Sequence, residues 1–286
     1  MALEFTPAKR YGCKLRMLIG GISGSGKSYT GLTICKALTK KPRFAAIDTE
    51  FMSLSKYADF FDFDVLVLEP PFEPEKYIAA LKAAEAAGYD VVFIDSLSHE
   101  WAGSGGCLQI QQKITDASDS KNSYVAWNKV TPRHDALPEA ILQSKCHVVC
   151  TSRSKAEYAE SIDDKNKKTI KKIGTQLIQR NEIEYEFDLV AEMDGNHNIK
   201  ITKTRFPMLE DMAGKKPDVD FFRPLVDALT GENDPMATPE SRIEYAKSLL
   251  DKTDWPEERK EKALARIADA PTVTNVLALK GAIKNG

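Results

Sequence analysis

Residues Gly20–Thr30 read GGISGSGKSYT, and the fold turns on how this glycine-dense run is read. Within it, Gly21-Ile-Ser-Gly-Ser-Gly26-Lys27-Ser28 fits the spacing G-x-x-x-x-G-K-[ST] of a loop that cradles phosphates. Glycines at these positions let consecutive main-chain N–H groups turn inward, while a lysine ammonium and a serine hydroxyl complete the ring. A ligand-free Gly/Ser turn has much the same composition, so the neighbours decide. The apolar run Cys13–Gly21 (CKLRMLIGG) enters the loop as a strand, and Lys27–Lys40 (KSYTGLTICKALTK) leaves it as a helix. That is the context a phosphate cradle needs, because the first N–H groups of the helix and its dipole add positive potential. The expected nucleotide contacts are Gly21, Ser23, Gly24, Ser25, Gly26, Lys27, Ser28 and Tyr29, with ATP and Mg²⁺ as ligands and Ser28 offering its hydroxyl to the metal.

Outward from the loop, short apolar runs alternate with helical patterns. Arg43–Glu50, Phe63–Pro70, Tyr89–Ser96 and Cys146–Ser152 read as strands, and Glu73–Gly88 as a helix with proline in its first turn and glycine at its end. Strands separated by helices imply a mainly parallel sheet covered on both faces, an α/β fold. From Glu182 the pattern changes to two strands joined at Asp194–Asn196, an antiparallel hairpin at one edge. Gly231–Glu240 has linker composition, and three short helical patterns fill Pro239–Lys284. The expected organisation is an N-terminal arm (1–13), an ATPase core (14–230), and a linker with a small helical module (231–286).

Composition sets outer limits. The 286 residues are 42% hydrophobic and 29% charged with a net charge of −2, which excludes wholesale coating of nucleic acid and leaves only a local basic patch for such contact. The cysteines (Cys13, Cys35, Cys107, Cys146, Cys150) lack metal spacing and read as reduced thiols. No apolar run approaches the roughly 18 residues of a membrane span. A cytoplasmic protein without a membrane partner is expected.

A phosphate loop needs a second acidic group for the Mg²⁺ shell. Asp95, which ends the apolar run VVFIDS, supplies it; capping of the following helix is the plainer alternative. Hydrolysis also needs a group that orients the attacking water. In AAA+ proteins a glutamate follows the aspartate, and here Ser96 stands there. A carboxylate closes the preceding core strand instead, Glu50 in AAIDTE, with Glu100 as a rival that is otherwise a surface charge.

With these residues in place, Gly21–Ser96 resembles the ATPase core of the RecA recombinase superfamily. The resemblance implies that Glu50 is the water-activating base. It further implies that Lys203 and Arg205, in KITKTR, reach the ATP of a neighbouring subunit, so that hydrolysis depends on self-association into a filament or ring. An exposed edge strand defended by cations would carry the same residues. The stretches Tyr124–His134, Val148–Tyr158 and Gln179–Asp188 are similar to phage-encoded RecA-like ATPases, some of which anneal single strands. Overall the resemblance covers about Lys14–Pro207. It implies single-stranded DNA as partner, with a single-strand-binding protein as a further one.

The chain departs from that pattern after the fourth core strand, where CTSRSK replaces a polar sensor. Ser152 is too short to reach a terminal phosphate, and Arg153 is the next candidate. Phe5–Ala8 (FTPA) resembles the Phe-x-x-Ala segment by which some recombinases dock on the next subunit, although such a phenylalanine can equally anchor its own terminus.

Between Arg153 and Arg180 stand eight cations, Arg153, Lys155, Lys165, Lys167, Lys168, Lys171, Lys172 and Arg180, against four acids. The family resemblance places the second DNA-binding loop here, and lysines can track phosphates of a flexible strand. The polar segment 103–132, with Tyr124 and Trp127, falls where the first DNA loop would lie; Trp127 packing in a core is the alternative. The helices after Pro239 fit an AAA+ lid, for which Arg242, Arg259 and Arg266 are available, or a partner-docking module.

Overall fold

A computed structural model describes residues 12–119, 121–162, 168–231 and 238–284. The strands are β1 (Arg16–Gly21), β2 (Phe44–Asp48), β3 (Phe63–Val67), β4 (Val91–Asp95), β5 (His147–Ile162), β6 (Lys168–Leu177), β7 (Leu189–Met193), β8 (Asn198–Thr204) and β9 (Ala213–Lys215). Between them lie α1 (Lys27–Leu38), α2 (Pro74–Ala86), α3 (Ser98–Ala102), α4 (Cys107–Ala117) and α5 (Ser123–Gln143). After them come α6 (Arg223–Thr230), α7 (Pro239–Leu250), α8 (Glu257–Asp269) and α9 (Val273–Lys284).

The sheet order is β3-β2-β4-β5-β1-β7-β8-β9, with β6 bonded to β5 off this path. Strands β1 to β5 and β7 run parallel, while β8 and β9 turn antiparallel at one edge. Every residue of β1, β2 and β4 is buried. Continuous apolar strands of this kind are what a parallel sheet covered on both faces requires. Leu18, Ile47, Val92, Ile94 and Val148 pack with Tyr77 and Leu81 of α2 and Leu137 and Ile141 of α5. On the opposite face Phe93 meets α1 at Gly31, where a Cβ would collide with the ring. The expected α/β core is the observed fold.

Two segments differ from expectation. Residues 103–132 are not an extended polar segment, because most of them are helical in α4 and α5. Proline inside a helix removes an N–H and ordinarily breaks it. Yet Pro132 and Pro138 both lie within α5, whose buried set Ala126, Val130, His134, Leu137, Pro138 and Ile141 forms a stripe at three- and four-residue spacing. Burial of that stripe outweighs the lost bonds, and Asn122 caps the start by accepting from Tyr124 N–H. The second difference is the basic run. It is an antiparallel hairpin, β5 paired with β6 from Ser154↔Leu177 to Ile162↔Lys168 with a bulge at Glu157/Tyr158, rather than a loop. Thr169, Ile170, Ile173 and Thr175 supply β-branched residues between the lysines, which suits a strand.

Two compact units make up the chain. Among the described residues, one comprises Lys14–Arg205 with Glu210–Phe222, and the other comprises Phe206–Leu209 and the helices from Arg223 onward. In the second unit α7, α8 and α9 bury Ala246, Leu250, Ile267, Val276 and Leu279, and Thr238 with Ser241 forms a capping box at the start of α7. FTPA and most of the linker lie outside the described residues.

Candidate nucleotide site

In open α/β sheets ligands collect at the carboxyl ends of the strands. Here Gly21 at the end of β1 is in register with Arg153 on β5 and Met193 on β7, and Asp48 at the end of β2 with Asp95 on β4. A cavity of about 780 Å³ opens over these ends. Ser23, Gly24, Gly26, Lys27, Ser28 and Tyr29 line it, together with Glu50, Asp95 and Arg153.

The glycines of the loop are required by space and by backbone angle. A Cβ on Gly21 would meet the Met193 carbonyl at 2.6 Å and Ser25 Oγ at 2.7 Å. Gly26 sits at φ 93°, the left-handed region that side chains avoid, immediately before α1 begins. Lys27 bends back over the loop and donates to the Ile22 carbonyl at 2.8 Å, and burial lowers its pKa.

Asp95 is almost wholly buried, which raises its pKa; the Ser28 and Thr151 hydroxyls oppose that by favouring the charged form. Thr151 donates to Oδ1, while Oδ2 has no hydrogen-bond partner among the described residues, and neither has the buried Ser25 Oγ. A buried carboxylate oxygen left unpaired beside a serine hydroxyl and a lysine fits an incoming Mg²⁺–phosphate group. The residues present therefore fit the expected ligands. Ser28 and Asp95 would hold the metal, and the loop amides with Lys27 the phosphates.

The sequence Asp48-Thr49-Glu50 divides three tasks among adjacent residues. Asp48 is fully buried and accepts from the N–H groups of Glu50 (2.6 Å) and Leu54 (2.9 Å), which fixes the turn after β2. The Thr49 hydroxyl accepts from Ser96 N–H (2.8 Å) and so pins the chain just after Asp95. Glu50 is left to point into the cavity, where its Oε1 accepts from Arg153 Nε (3.0 Å) and Nη2 (2.8 Å).

Several expected residues stand elsewhere. Glu100 is neither a surface charge nor a member of the cavity. It is fully buried, and its carboxylate accepts from Cys107 Sγ, His134 Nδ1 and Gln179 Nε2, each at 3.0 Å. That network satisfies Glu100 and ties α3 to α4, α5 and the residue that follows the hairpin. Arg153 faces the nucleotide cavity rather than the hairpin's length, and Arg180 is engaged with Asp135 at 2.6 Å. Lys155 is exposed on β5, and Lys168, Lys171 and Lys172 fall on β6. Lys165 and Lys167 lie outside the described residues. Trp127 stacks on Trp101, while Tyr124 is largely exposed.

Lys203 is committed to its own chain. Its Nζ donates to the carbonyls of Glu184, Tyr185 and Phe187 at 2.8–2.9 Å, closing a 3₁₀ turn at Ile183–Glu186. An ammonium has three N–H donors, and all three are used. Arg205 is 61% exposed and lies 3.6 Å from Asp188. In the helical module Arg242 donates to the Pro271 carbonyl and Arg259 lies over the Trp255 ring, so both are engaged within that module.

Beside the expected Tyr29, other cavity residues carried no local signal. Tyr29 meets Tyr57 and Phe61 edge-to-face at 6.0 and 5.2 Å, and Phe60 joins them as an aromatic wall. His197, in the β7–β8 turn, lies 3.0 Å from the Ser25 carbonyl, and Lys216–Val219 adds a further wall. His197 and Lys216–Val219 reach the loop through the pairing of β1 with β7 and of β8 with β9, whereas Tyr57, Phe60 and Phe61 come from the segment between β2 and β3.

Among the described residues, no helix is long and apolar enough to cross a membrane. Comparison with curated proteins finds no match. The family model for an AAA domain matches residues 13–211, which spans the whole sheet but for the last strand and includes every residue of the cavity up to His197. This chain belongs to the AAA-domain family, as a P-loop ATPase-type, nucleotide-binding domain.

Proposed function

We propose that the chain is an ATP-hydrolysing, RecA-like protein that binds single-stranded DNA and promotes strand annealing or pairing. The course of β5 carries this reading. Its first part, His147–Arg153, lies in the sheet between β4 and β1 and ends at the nucleotide cavity. The same strand then continues as one arm of the hairpin with β6. A ribbon of nine residues reaches about 30 Å at the usual rise per residue. Its lysines are suited to backbone phosphates of a flexible strand, and exposed Tyr124 to a base.

In the cavity, Lys27 and the loop amides hold phosphates, and the aromatic wall suits a purine ring. Bound Mg²⁺ supplies charge neutralisation at the phosphates. Glu50 enters from β2, so the carboxylate stands opposite the Asp95 strand's own end without following Asp95 in sequence. This placement favours the RecA-like arrangement over the AAA+ one with a helical lid. Glu50 orients water and takes its proton; Glu50→Gln keeps nucleotide binding and loses turnover by about 10²-fold or more. The exposed Arg205 is the better candidate for a cation offered to a neighbouring subunit in a filament or ring.

The test is anisotropy of a labelled oligo(dT) across a salt series, with and without an ATP analogue. Binding should strengthen with nucleotide. Replacing Lys165, Lys167, Lys168, Lys171 and Lys172 by glutamine should flatten the slope of log K against log salt by about 3. Absence of salt-sensitive binding would favour a nucleotide-gated regulator that acts through a protein partner.

A further inference from the structure

Arg153 combines a fixed main chain with a side chain held, among the described residues, only by Glu50 at the cavity. Its N–H donates to Ser98 Oγ at 2.8 Å, and its carbonyl accepts from Ile178 N–H at 2.6 Å. Its Cα is in register with Gly21 of the phosphate loop. The guanidinium meets Glu50 with side-chain exposures of 43% and 27%, so packing locks neither partner. Both residues line the cavity with Lys27 and Asp95. The Nε and Nη2 groups of Arg153 converge on the single oxygen Oε1 of Glu50. A phosphate offers the guanidinium two oxygens for a forked pair of bonds, at least as strong as this convergence on one.

We propose that Arg153 is a latch with two alternative partners, the Glu50 carboxylate and the terminal phosphate of a bound nucleoside triphosphate. While paired with Arg153, Glu50 has Oε1 occupied by two charged N–H donors, which neutralise its carboxylate and weaken it as a base towards water. A terminal phosphate competes for the guanidinium and thereby frees Glu50 at the moment a hydrolysable ligand is present. A diphosphate does not reach Arg153 and leaves the pair closed. An ion pair this exposed is weak, so the competition lowers triphosphate affinity only about three- to fivefold. The inference rests on the reading of the cavity as a nucleotide site.

The test is a double-variant cycle read by equilibrium binding, without turnover. ADP and a non-hydrolysable ATP analogue, each with Mg²⁺, are titrated into the unmodified chain, Glu50→Gln, Arg153→Gln and the double variant. Glu50→Gln should tighten the triphosphate analogue about three- to fivefold and leave ADP unchanged. Arg153→Gln should weaken the analogue about tenfold and leave ADP unchanged, which also reports that the cavity has kept its fold. In the double variant, Glu50→Gln should produce no further tightening. If it tightens the analogue equally with and without Arg153, simple charge repulsion explains the effect and the latch is overturned. Unequal loss of ADP binding in Arg153→Gln would likewise overturn it in favour of a structural role. If the unmodified chain binds neither nucleotide, the reading of the cavity itself falls.

Discussion

Thr151 on β5 donates its hydroxyl to Oδ1 of Asp95 on β4, and Oδ2 is left without a hydrogen-bond partner among the described residues. The parallel register that aligns Ile94 with Cys150 puts the next pair, Asp95 and Thr151, side by side. Burial raises the Asp95 pKa, and the Thr151 hydroxyl is among the bonds that hold it back.

Thr151→Val keeps the shape and removes that bond. The charged form of Asp95 loses support, so its pKa rises further. Mg²⁺-dependent nucleotide binding should weaken about tenfold, the scale of one hydrogen bond to a charged group. It should also fail at a higher pH on acidification than in the unmodified chain. Titration with nucleotide and Mg²⁺ at several pH values checks this; an unchanged affinity and pH profile would refute it.

Lys203→Met removes three bonds to the Glu184, Tyr185 and Phe187 carbonyls. A loss of about 1–3 kcal/mol in urea unfolding is expected, because those carbonyls lose a charged donor. Arg205→Ala, at an exposed pair, should change stability by less than about 1 kcal/mol. Equal effects of the two substitutions would contradict the assignment of Lys203 to its own chain.

Gly31→Ala sets two effects against each other. Helix propensity alone favours alanine by about 1 kcal/mol. The added methyl, however, would collide with the Phe93 ring at the centre of the sheet. Overpacking costs about 1–3 kcal/mol, so destabilisation should win. A Gly31→Ala chain with a higher Tm would show that the α1–β4 contact is looser than described.

His147 supplies a pH dependence of stability. Its Nδ1 accepts from Leu15 N–H at 3.1 Å, and burial, with Lys14 nearby, lowers its pKa from 6.5 to about 4. The folded state therefore holds the ring neutral where the unfolded chain protonates it. This contribution is complete above pH 6.5 and is lost as pH falls towards 4, to a total of about 3 kcal/mol. His147→Asn, which keeps an acceptor, should flatten the decline in Tm between pH 6.5 and 4.5. An equal decline in both proteins would place the effect in other groups.

The phosphate loop, Asp95 and Glu50 were legible because each is a polar residue at the end of an apolar run, and the parallel sheet gathers such ends at one edge. Thr151 and His197 were not, since only strand order and register bring them to the loop, nor were Tyr57, Phe60 and Phe61, which join the expected Tyr29 from the segment between β2 and β3. Helix α5 was hidden by Pro132 and Pro138, which argue against a helix locally and are overridden by a buried stripe. Glu100 read as a surface charge because its partners, Cys107, His134 and Gln179, come from three other segments of the chain. Lys168, Lys171 and Lys172 read as part of a loop because charge density there masks the strand β6.

The central claim is that Lys27, Ser28 and Asp95 form one Mg²⁺–nucleotide site. Calorimetric titration of a non-hydrolysable ATP analogue, with Mg²⁺ and with a chelator, tests it directly. The account predicts saturable one-to-one binding that weakens at least tenfold without Mg²⁺ and is lost in Lys27→Ala. Absence of binding, or binding indifferent to both Mg²⁺ and Lys27, would contradict it.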